Sequence, residues 1–127
     1  MTLRYALAAT ALAFSGIAFA APPAMEKDGM LVDAKGMTLY TYDKDTKDIS
    51  KCSGPCAENW PPLMADADAK PDGQWTLAKR EDGTLQWAYA DKPLYTFAKD
   101  KPGEMTGDGK GGVWHMAKPV SYTHLTL

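Results

Sequence analysis

The stretch LYTYDKD at residues 39–45 returns almost unchanged as LYTFAKD at residues 94–100, 55 positions later, with five of the seven positions identical. Both stretches are rich in β-branched and aromatic residues, which favour a β-strand. Neither shows helical periodicity. Alternation along a strand sends the leucine and threonine of each stretch to one face and its two aromatic rings to the other.

Each stretch belongs to a longer repeated pattern. Short apolar runs flank turn sequences of Asp, Gly and Pro, which predicts hairpins around residues 33–36 and 90–93 and a further strand pair, 74–79 with 85–89, around residues 80–83. After each heptapeptide a polar loop ends at a tryptophan, 20 residues from Tyr40 to Trp60 and 19 from Tyr95 to Trp114. These matched spacings indicate an internal repeat.

A unit of about 50 residues with one hairpin cannot bury its apolar face alone, so two units must share a core. We therefore predict an all-β (mainly β) fold, a compact small domain of two tandem hairpin-containing repeats packed as a pseudo-symmetric sandwich or barrel. The heptapeptide recurs because each copy does the same structural job. Tyr40 and Tyr95 are expected to pack across the shared interior or its rim, while Asp45 and Asp100 accept hydrogen bonds from loop N–H groups or a tyrosine hydroxyl.

The first 20 residues have the features of a secretory signal peptide. Arg4 is followed by an apolar run and by the small-x-small sequence Ala18-Phe19-Ala20. An uncleaved anchor is the alternative, but Ser15 and Gly16 interrupt a run that must reach ~20 apolar residues to span a bilayer. We predict cleavage before Ala21.

The last eight residues, VSYTHLTL, have no turn, cap or periodic relation to the stretch before them, so we interpret residues 120–127 as a non-native or disordered tail. What remains is long enough for one small domain. The predicted organisation is a single β-rich domain at residues 21–119, with repeats at about 29–63 and 84–119.

The chain of 127 residues carries 14 Lys and Arg against 16 Asp and Glu, a net charge of −2. This mild acidity argues against a nucleic-acid partner, which would require a basic surface. The sequence contains no apolar run after the signal that is long enough to span a membrane. We predict a soluble periplasmic or secreted protein.

The pattern Y-x-[FWY]-x-x-D occurs twice, with its defined positions at Tyr40, Tyr42, Asp45, Tyr95, Phe97 and Asp100. In this respect, and in the segments CSGPCAENWPPL (52–63) and GGVWHMAKP (111–119), the chain resembles the bacterial secreted-repeat family described as predicted lipoproteins with that motif. The resemblance implies no particular activity. No lipobox cysteine follows the signal, since the first cysteine is Cys52. Lipid attachment is therefore not predicted.

Two cysteines, Cys52 and Cys56, lie four positions apart around a Gly-Pro turn. Because exported proteins meet an oxidising environment, we predict a disulfide between them. A redox or metal-binding pair is the alternative. It lacks the C-x-x-C spacing of thioredoxin-like proteins.

Sulfur and imidazole donors suggest a second alternative, a site for a soft metal such as Cu(I). The donors are the two cysteines with Met30, Met37, Met64, Met105, His115 and Met116. Methionine also fills irregular cores. Strand alternation places the side chains of His115 and Met116 on opposite faces of the strand. We therefore predict no metal and no cofactor, with His115 and Met116 as the alternative pair.

No nucleophile elbow or acid–base constellation is visible in the sequence, and the acidic loops at residues 43–48 and 100–109 do not match a calcium loop. We predict that the protein is not an enzyme. Two hypotheses follow. One is a non-catalytic binding or structural module of the cell envelope, using an exposed aromatic face to hold an unknown envelope component or protein partner. The other is a periplasmic metal- or redox-handling protein.

Overall fold

The structure is a computed structural model and describes residues 24–119 of the chain. The predicted signal peptide at residues 1–20 and the predicted tail at residues 120–127 lie outside the described part. Strands dominate: β1 Ala24–Lys27, β2 Met30–Asp33, β3 Tyr40–Tyr42, β4 Met64–Ala65, β5 Trp75–Lys79, β6 Leu85–Tyr89, β7 Lys92–Pro93 and β8 Trp114–Met116. A five-residue helix, α1 Pro55–Asn59, and a 3-10 turn at Lys110–Gly112 complete the described elements. No helix within residues 24–119 is long and apolar enough to cross a membrane.

Each repeat begins with a β-hairpin. β1 pairs with β2 and β5 pairs with β6, both antiparallel. The β1–β2 turn is formed by Asp28 and Gly29, with φ of 53° and 81°. Two successive positive φ angles match the twist of the flanking strands, which is why such tight turns favour Asp and Gly. The first hairpin was not predicted from the sequence, because residues 25–27 are exposed and carry no apolar alternation.

The predicted hairpin around residues 33–36 is present only in reduced form. The Asp33 carboxylate accepts the N–H groups of Lys35 and Met37, both at 2.9 Å, and the chain then returns through a single bridge between Val32 and Thr38. Beyond this bridge the returning chain diverges from β2, because its next residues pair with distant segments of the chain. The predicted strand pair 74–79 and 85–89 is confirmed as β5 and β6.

The two repeats are intertwined. β3, from the first heptapeptide, pairs antiparallel with β8, which carries the tryptophan of the second repeat. Reciprocally, Tyr95 in the second heptapeptide forms a bridge with Pro62, two residues after the tryptophan of the first repeat. Each heptapeptide is therefore held by the return segment of the other repeat.

The interior contains two clusters of buried side chains. The first, the aromatic core, consists of Tyr40, Cys52, Trp60, Tyr95, Phe97 and Trp114. The second, the aliphatic core, consists of Ala24, Leu31, Leu39, Leu94 and Ala117. The leucine and the first tyrosine of each heptapeptide thus enter different cores, as strand alternation requires.

The all-β prediction with two hairpin-containing repeats is confirmed. Within residues 24–119 the strands form three antiparallel sheets: β1–β2, β3–β8, and β4–β6–β5 with β7 also on β6. Their ladders do not close on themselves, so the barrel alternative is not realised in the described residues. Isolated bridges, including one between Tyr40 and Tyr95, connect the sheets.

Candidate functional site

Each motif tyrosine donates its hydroxyl to the motif aspartate of the other repeat. The Tyr40 hydroxyl lies 2.5 Å from Oδ2 of Asp100, and the Tyr95 hydroxyl lies 2.7 Å from Oδ2 of Asp45. The backbones of the two tyrosines also pair, with N–O distances of 2.7 and 3.0 Å. A pseudo-twofold axis therefore passes between Tyr40 and Tyr95, and neither repeat completes its own motif.

The second carboxylate oxygen of each aspartate holds the loop that follows it. Oδ1 of Asp45 accepts the N–H of Lys51 at 2.6 Å, and Oδ1 of Asp100 accepts the N–H of Thr106 at 3.0 Å. In each repeat the donor lies six residues after the aspartate. The carboxylate thus links one repeat's loop to the other repeat's tyrosine.

The two motif networks differ in their remaining partners. The Tyr95 hydroxyl lies 2.6 Å from Oγ of Ser50, which in turn accepts a hydrogen bond from the Arg80 guanidinium at 3.1 Å. The Tyr40 hydroxyl instead accepts the backbone N–H of Gly107 at 3.1 Å. One network therefore includes a cation, whereas the other is completed by the backbone.

The environment keeps the motif hydroxyls protonated. Burial, reinforced by the hydrogen bond to the partner aspartate, raises the pKa of Tyr40 and of Tyr95 above the ordinary tyrosine value of 10.0. Burial also raises the pKa of Asp45, opposed by the hydrogen bonds from the Lys51 N–H and from Tyr95. Both tyrosines remain hydrogen-bond donors at neutral pH, which suits a structural role.

Four aromatic rings form a continuous stack across the pseudo-axis. Tyr42 stacks on Trp114 at 4.2 Å between ring centroids, Trp114 on Trp60 at 3.8 Å, and Trp60 on Phe97 at 4.2 Å. The two motif tyrosines lie edge-on to the tryptophan of their own repeat, at 5.4 and 5.2 Å. The second aromatic position of each motif therefore packs on the tryptophan of the other repeat.

Gly107 is required by the close approach of this stack. A Cβ atom at this position would lie 2.7 Å from Cη2 of Trp60 and 3.1 Å from Cζ of Tyr40. We expect Gly107→Ala to lower the free energy of unfolding by about 1–3 kcal/mol, the usual cost of overpacking, as measured by urea denaturation. Combining it with Trp60→Phe should cost less than the sum of the single changes, since the smaller ring relieves the clash. An unchanged denaturation midpoint for Gly107→Ala would contradict this packing.

Removing either motif carboxylate should destabilise the fold. We expect Asp45→Ala and Asp100→Ala each to lower the free energy of unfolding by about 1–3 kcal/mol, because each change removes the acceptor of a tyrosine hydroxyl and of a loop N–H. Denaturant midpoints of the two variants, with exposed Asp68→Ala as a control, provide the measurement. Wild-type stability of both motif variants would show that the carboxylates do not hold the loops.

The predicted disulfide is present between Cys52 and Cys56, with a Cα–Cα distance of 5.2 Å. Cys52 is fully buried in the aromatic core, and Cys56 packs against that core. No free cysteine occurs in the described residues, so neither thiol is available there as a metal ligand.

The alternative soft-metal donors suggested by the sequence do not converge as one group. Nε2 of His115 lies 2.9 Å from Oδ2 of Asp43, and both side chains are about half exposed. His115 is opposite Thr41 in the β3–β8 ladder, so it points away from the face that Trp114 and Met116 share. The alternative pair His115 and Met116 is thus divided between two faces of β8.

The motif residues do not form an exposed aromatic face. Tyr40, Tyr95, Phe97 and the two stacked tryptophans are buried, which removes them from the proposed binding surface. Partly buried aromatic residues lie instead on the outer face of the β4–β6–β5 sheet. This outer face is formed by Trp75, Leu77, Leu85, Trp87 and Tyr89.

Sequence reasoning missed Ser50, Arg80 and Gly107 as partners of the motif. Arg80 lies at the end of β5 in a turn that reads as solvent-exposed, yet its guanidinium donates to Gln86 and to the Cys52 carbonyl, both at 2.8 Å. No local signal marks it. The loop donors could have been found by aligning the repeats, because Lys51 and Thr106 are 55 positions apart.

Fold and site together define a β-rich protein of two intertwined repeats. The motif tyrosine of each repeat donates a hydrogen bond to the motif aspartate of the other repeat. A family model described as a secreted repeat of unknown function matches residues 24–64 and 76–118. The chain belongs to this family. Comparison with curated proteins and with solved structures finds no match.

Proposed function

We propose that the protein is an exported, non-catalytic module of the bacterial cell envelope that binds a protein partner on the outer face of its β4–β6–β5 sheet. The observation that carries the proposal is the pair of hydrogen bonds by which each motif tyrosine donates to the motif aspartate of the other repeat. Because the hydroxyls and carboxylates of the motif hold the two repeats together, their use in chemistry would disrupt the scaffold. The repeated motif is therefore structural, and binding occurs elsewhere.

The outer face supports binding because its side chains are large and incompletely covered. Trp75 and Tyr89 pack against the aliphatic core, whereas Leu77, Leu85 and Trp87 belong to neither core. Tryptophan is enriched among the residues that dominate protein–protein binding energy.

The ring geometry favours a protein partner over a polysaccharide. The Trp75 ring meets the Trp87 ring at 87° and the Tyr89 ring at 59°, so the three rings offer no common plane for stacking against a sugar. Lys79 is the charged residue that shares this side of β5. An apolar protein surface complements such a face.

Site-specific photo-crosslinking in the exporting cell tests the partner and its location. We expect a benzophenone amino acid at Leu77 to give one discrete protein adduct, and the same group at the exposed turn residue Lys35 to give none. The adduct should disappear when Trp87→Ser is added, with the folded state verified by its melting temperature. Equal adducts from both positions, or adducts to glycan alone, would refute the proposal.

Export also has a direct measurement. We place the protein in the periplasm or outside the cell after cleavage behind Ala20, without lipid attachment. Intact mass of the exported protein is expected to correspond to a chain that begins at Ala21 and lacks a diacylglycerol group. A retained signal or an added lipid would overturn this placement.

A further inference from the structure

A cavity of about 550 Å³ lies where the β1–β2 turn, the loop at residues 101–109 and strand β8 meet. Three of its lining residues are methionines: Met30, Met105 and Met116. They lie in β2, in the loop at residues 101–109 and in β8. Three methionine residues thus line one cavity, which is separate from the outer face of the β4–β6–β5 sheet.

The backbone around this cavity is held by defined hydrogen bonds. The Leu31 N–H donates to the Ala117 carbonyl at 3.0 Å, which sets Met30 and Met116 on adjacent segments. The Thr38 hydroxyl donates to the Glu104 carbonyl at 2.7 Å, immediately before Met105. Neither the loop nor the strands must be reorganised to bring the methionines to one cavity.

Core filling is the ordinary role of methionine, and it explains Met105 poorly. Its side chain is 44 % exposed, so it contributes little to apolar burial. An exposed methionine that lines a cavity together with two further methionines is better placed to bind a ligand than to fill a core.

We propose that this cavity binds a monovalent soft metal ion, Cu(I), through the thioether sulfurs of Met30, Met105 and Met116. Thioethers are neutral, polarizable ligands that select Cu(I) over harder cations. The site differs from the alternative soft-metal donor set suggested by the sequence. It uses neither the cysteines, which form a disulfide, nor His115, which points to the other face of β8.

Charged groups at the cavity oppose a divalent cation more strongly than a monovalent one. Lys27, Lys118 and Asp28 contribute to the lining, a net charge of one positive unit, and all three are exposed. Repulsion grows with the charge of the bound ion, so a divalent cation is disfavoured more than Cu(I). The lining contains no imidazole, which Zn²⁺ and Cu²⁺ would prefer. Thioether coordination of Cu(I) must outweigh this repulsion, and Zn²⁺ should bind more weakly than Cu(I).

Anaerobic competition with a chromophoric Cu(I) chelator tests the site on the full exported protein, with its disulfide kept oxidised. We expect one equivalent of Cu(I) per chain. Met30→Leu, Met105→Leu and Met116→Leu should each weaken binding about tenfold or more, since even residues that only support a metal ligand contribute 10–100-fold. Leucine conserves volume, so the fold is retained. Met25→Leu and Met64→Leu, which change exposed methionines that do not line the cavity, are matched controls and should bind as wild type.

Met105→Leu decides the proposal most cleanly, because its exposed side chain can be changed without unfolding the protein. Wild-type affinity in this variant, an absence of Cu(I) binding by the native protein, or equal losses in the two control variants would each overturn the assignment. Binding that is lost in all three cavity variants and retained in both controls would support it.

Discussion

Replacing either motif tyrosine by alanine is expected to lower the free energy of unfolding by about 3–5 kcal/mol, the usual cost of truncating a large buried aromatic side chain. Tyr40 and Tyr95 are both fully buried, and each lies edge-on to a tryptophan of the central stack. Truncation therefore leaves a cavity and also strands the carboxylate of the opposite repeat. Urea denaturation of the two variants provides the measurement.

Equivalent positions should show equivalent losses, which makes the comparison of the two variants informative. Tyr40→Phe and Tyr95→Phe retain the ring and remove only the hydroxyl, so each should cost about 1–3 kcal/mol by leaving a carboxylate short of a donor. A loss below 1 kcal/mol for both alanine variants would contradict the central position of the tyrosines.

Stability should fall steeply above pH 10. In the unfolded chain Tyr40 and Tyr95 ionise at the ordinary tyrosine pKa of 10.0, whereas burial and the adjacent aspartates raise the pKa of both in the folded state. The folded protein therefore holds two protons that the unfolded chain releases. The resulting stability is complete below pH 10 and is lost as the pH rises towards the folded-state pKa. Each tyrosine contributes a loss of about 1.4 kcal/mol per pH unit in this window.

Urea midpoints measured between pH 9 and pH 12 test this linkage. The double variant Tyr40→Phe/Tyr95→Phe starts from a lower stability at pH 9 but should lose most of the slope, because neither ring can then ionise. An identical slope in wild type and double variant would show that alkaline unfolding is driven by other groups. Single variants should lie between the two.

The strand character of the heptapeptides could be predicted from residues 39–45 and 94–100, because β-branched and aromatic residues alternate there without helical spacing. The need for two repeats to share one core followed from their size. By contrast, the β1–β2 hairpin was marked in the sequence only by its Asp28-Gly29 turn, because its first strand lacks apolar alternation. Its residues 25–27 are exposed, and the hairpin is joined to the rest of the fold through Leu31, which donates to the Ala117 carbonyl.

The candidate sites depended more on tertiary structure. The sequence identified the methionines as soft donors but grouped them with Cys52, Cys56 and His115, which the fold separates from the cavity. It also could not distinguish a buried from an exposed aromatic residue, since strand alternation assigns faces without saying which face is covered. The outer face of the β4–β6–β5 sheet could therefore be identified only from the packing of β5 and β6.

By itself the sequence determined a secreted-repeat protein made of two β-rich halves, with Tyr, a second aromatic residue and Asp at matched positions of each half. β-Strand propensity and repeat spacing are properties of chain segments, so both can be recognised in the amino-acid sequence. Only the tertiary structure decided that the Tyr40 hydroxyl donates to Asp100 and the Tyr95 hydroxyl donates to Asp45. These two hydrogen bonds depend on which segments meet across the pseudo-twofold axis. Because the groups are buried there, every hydroxyl and carboxylate requires a hydrogen-bond partner.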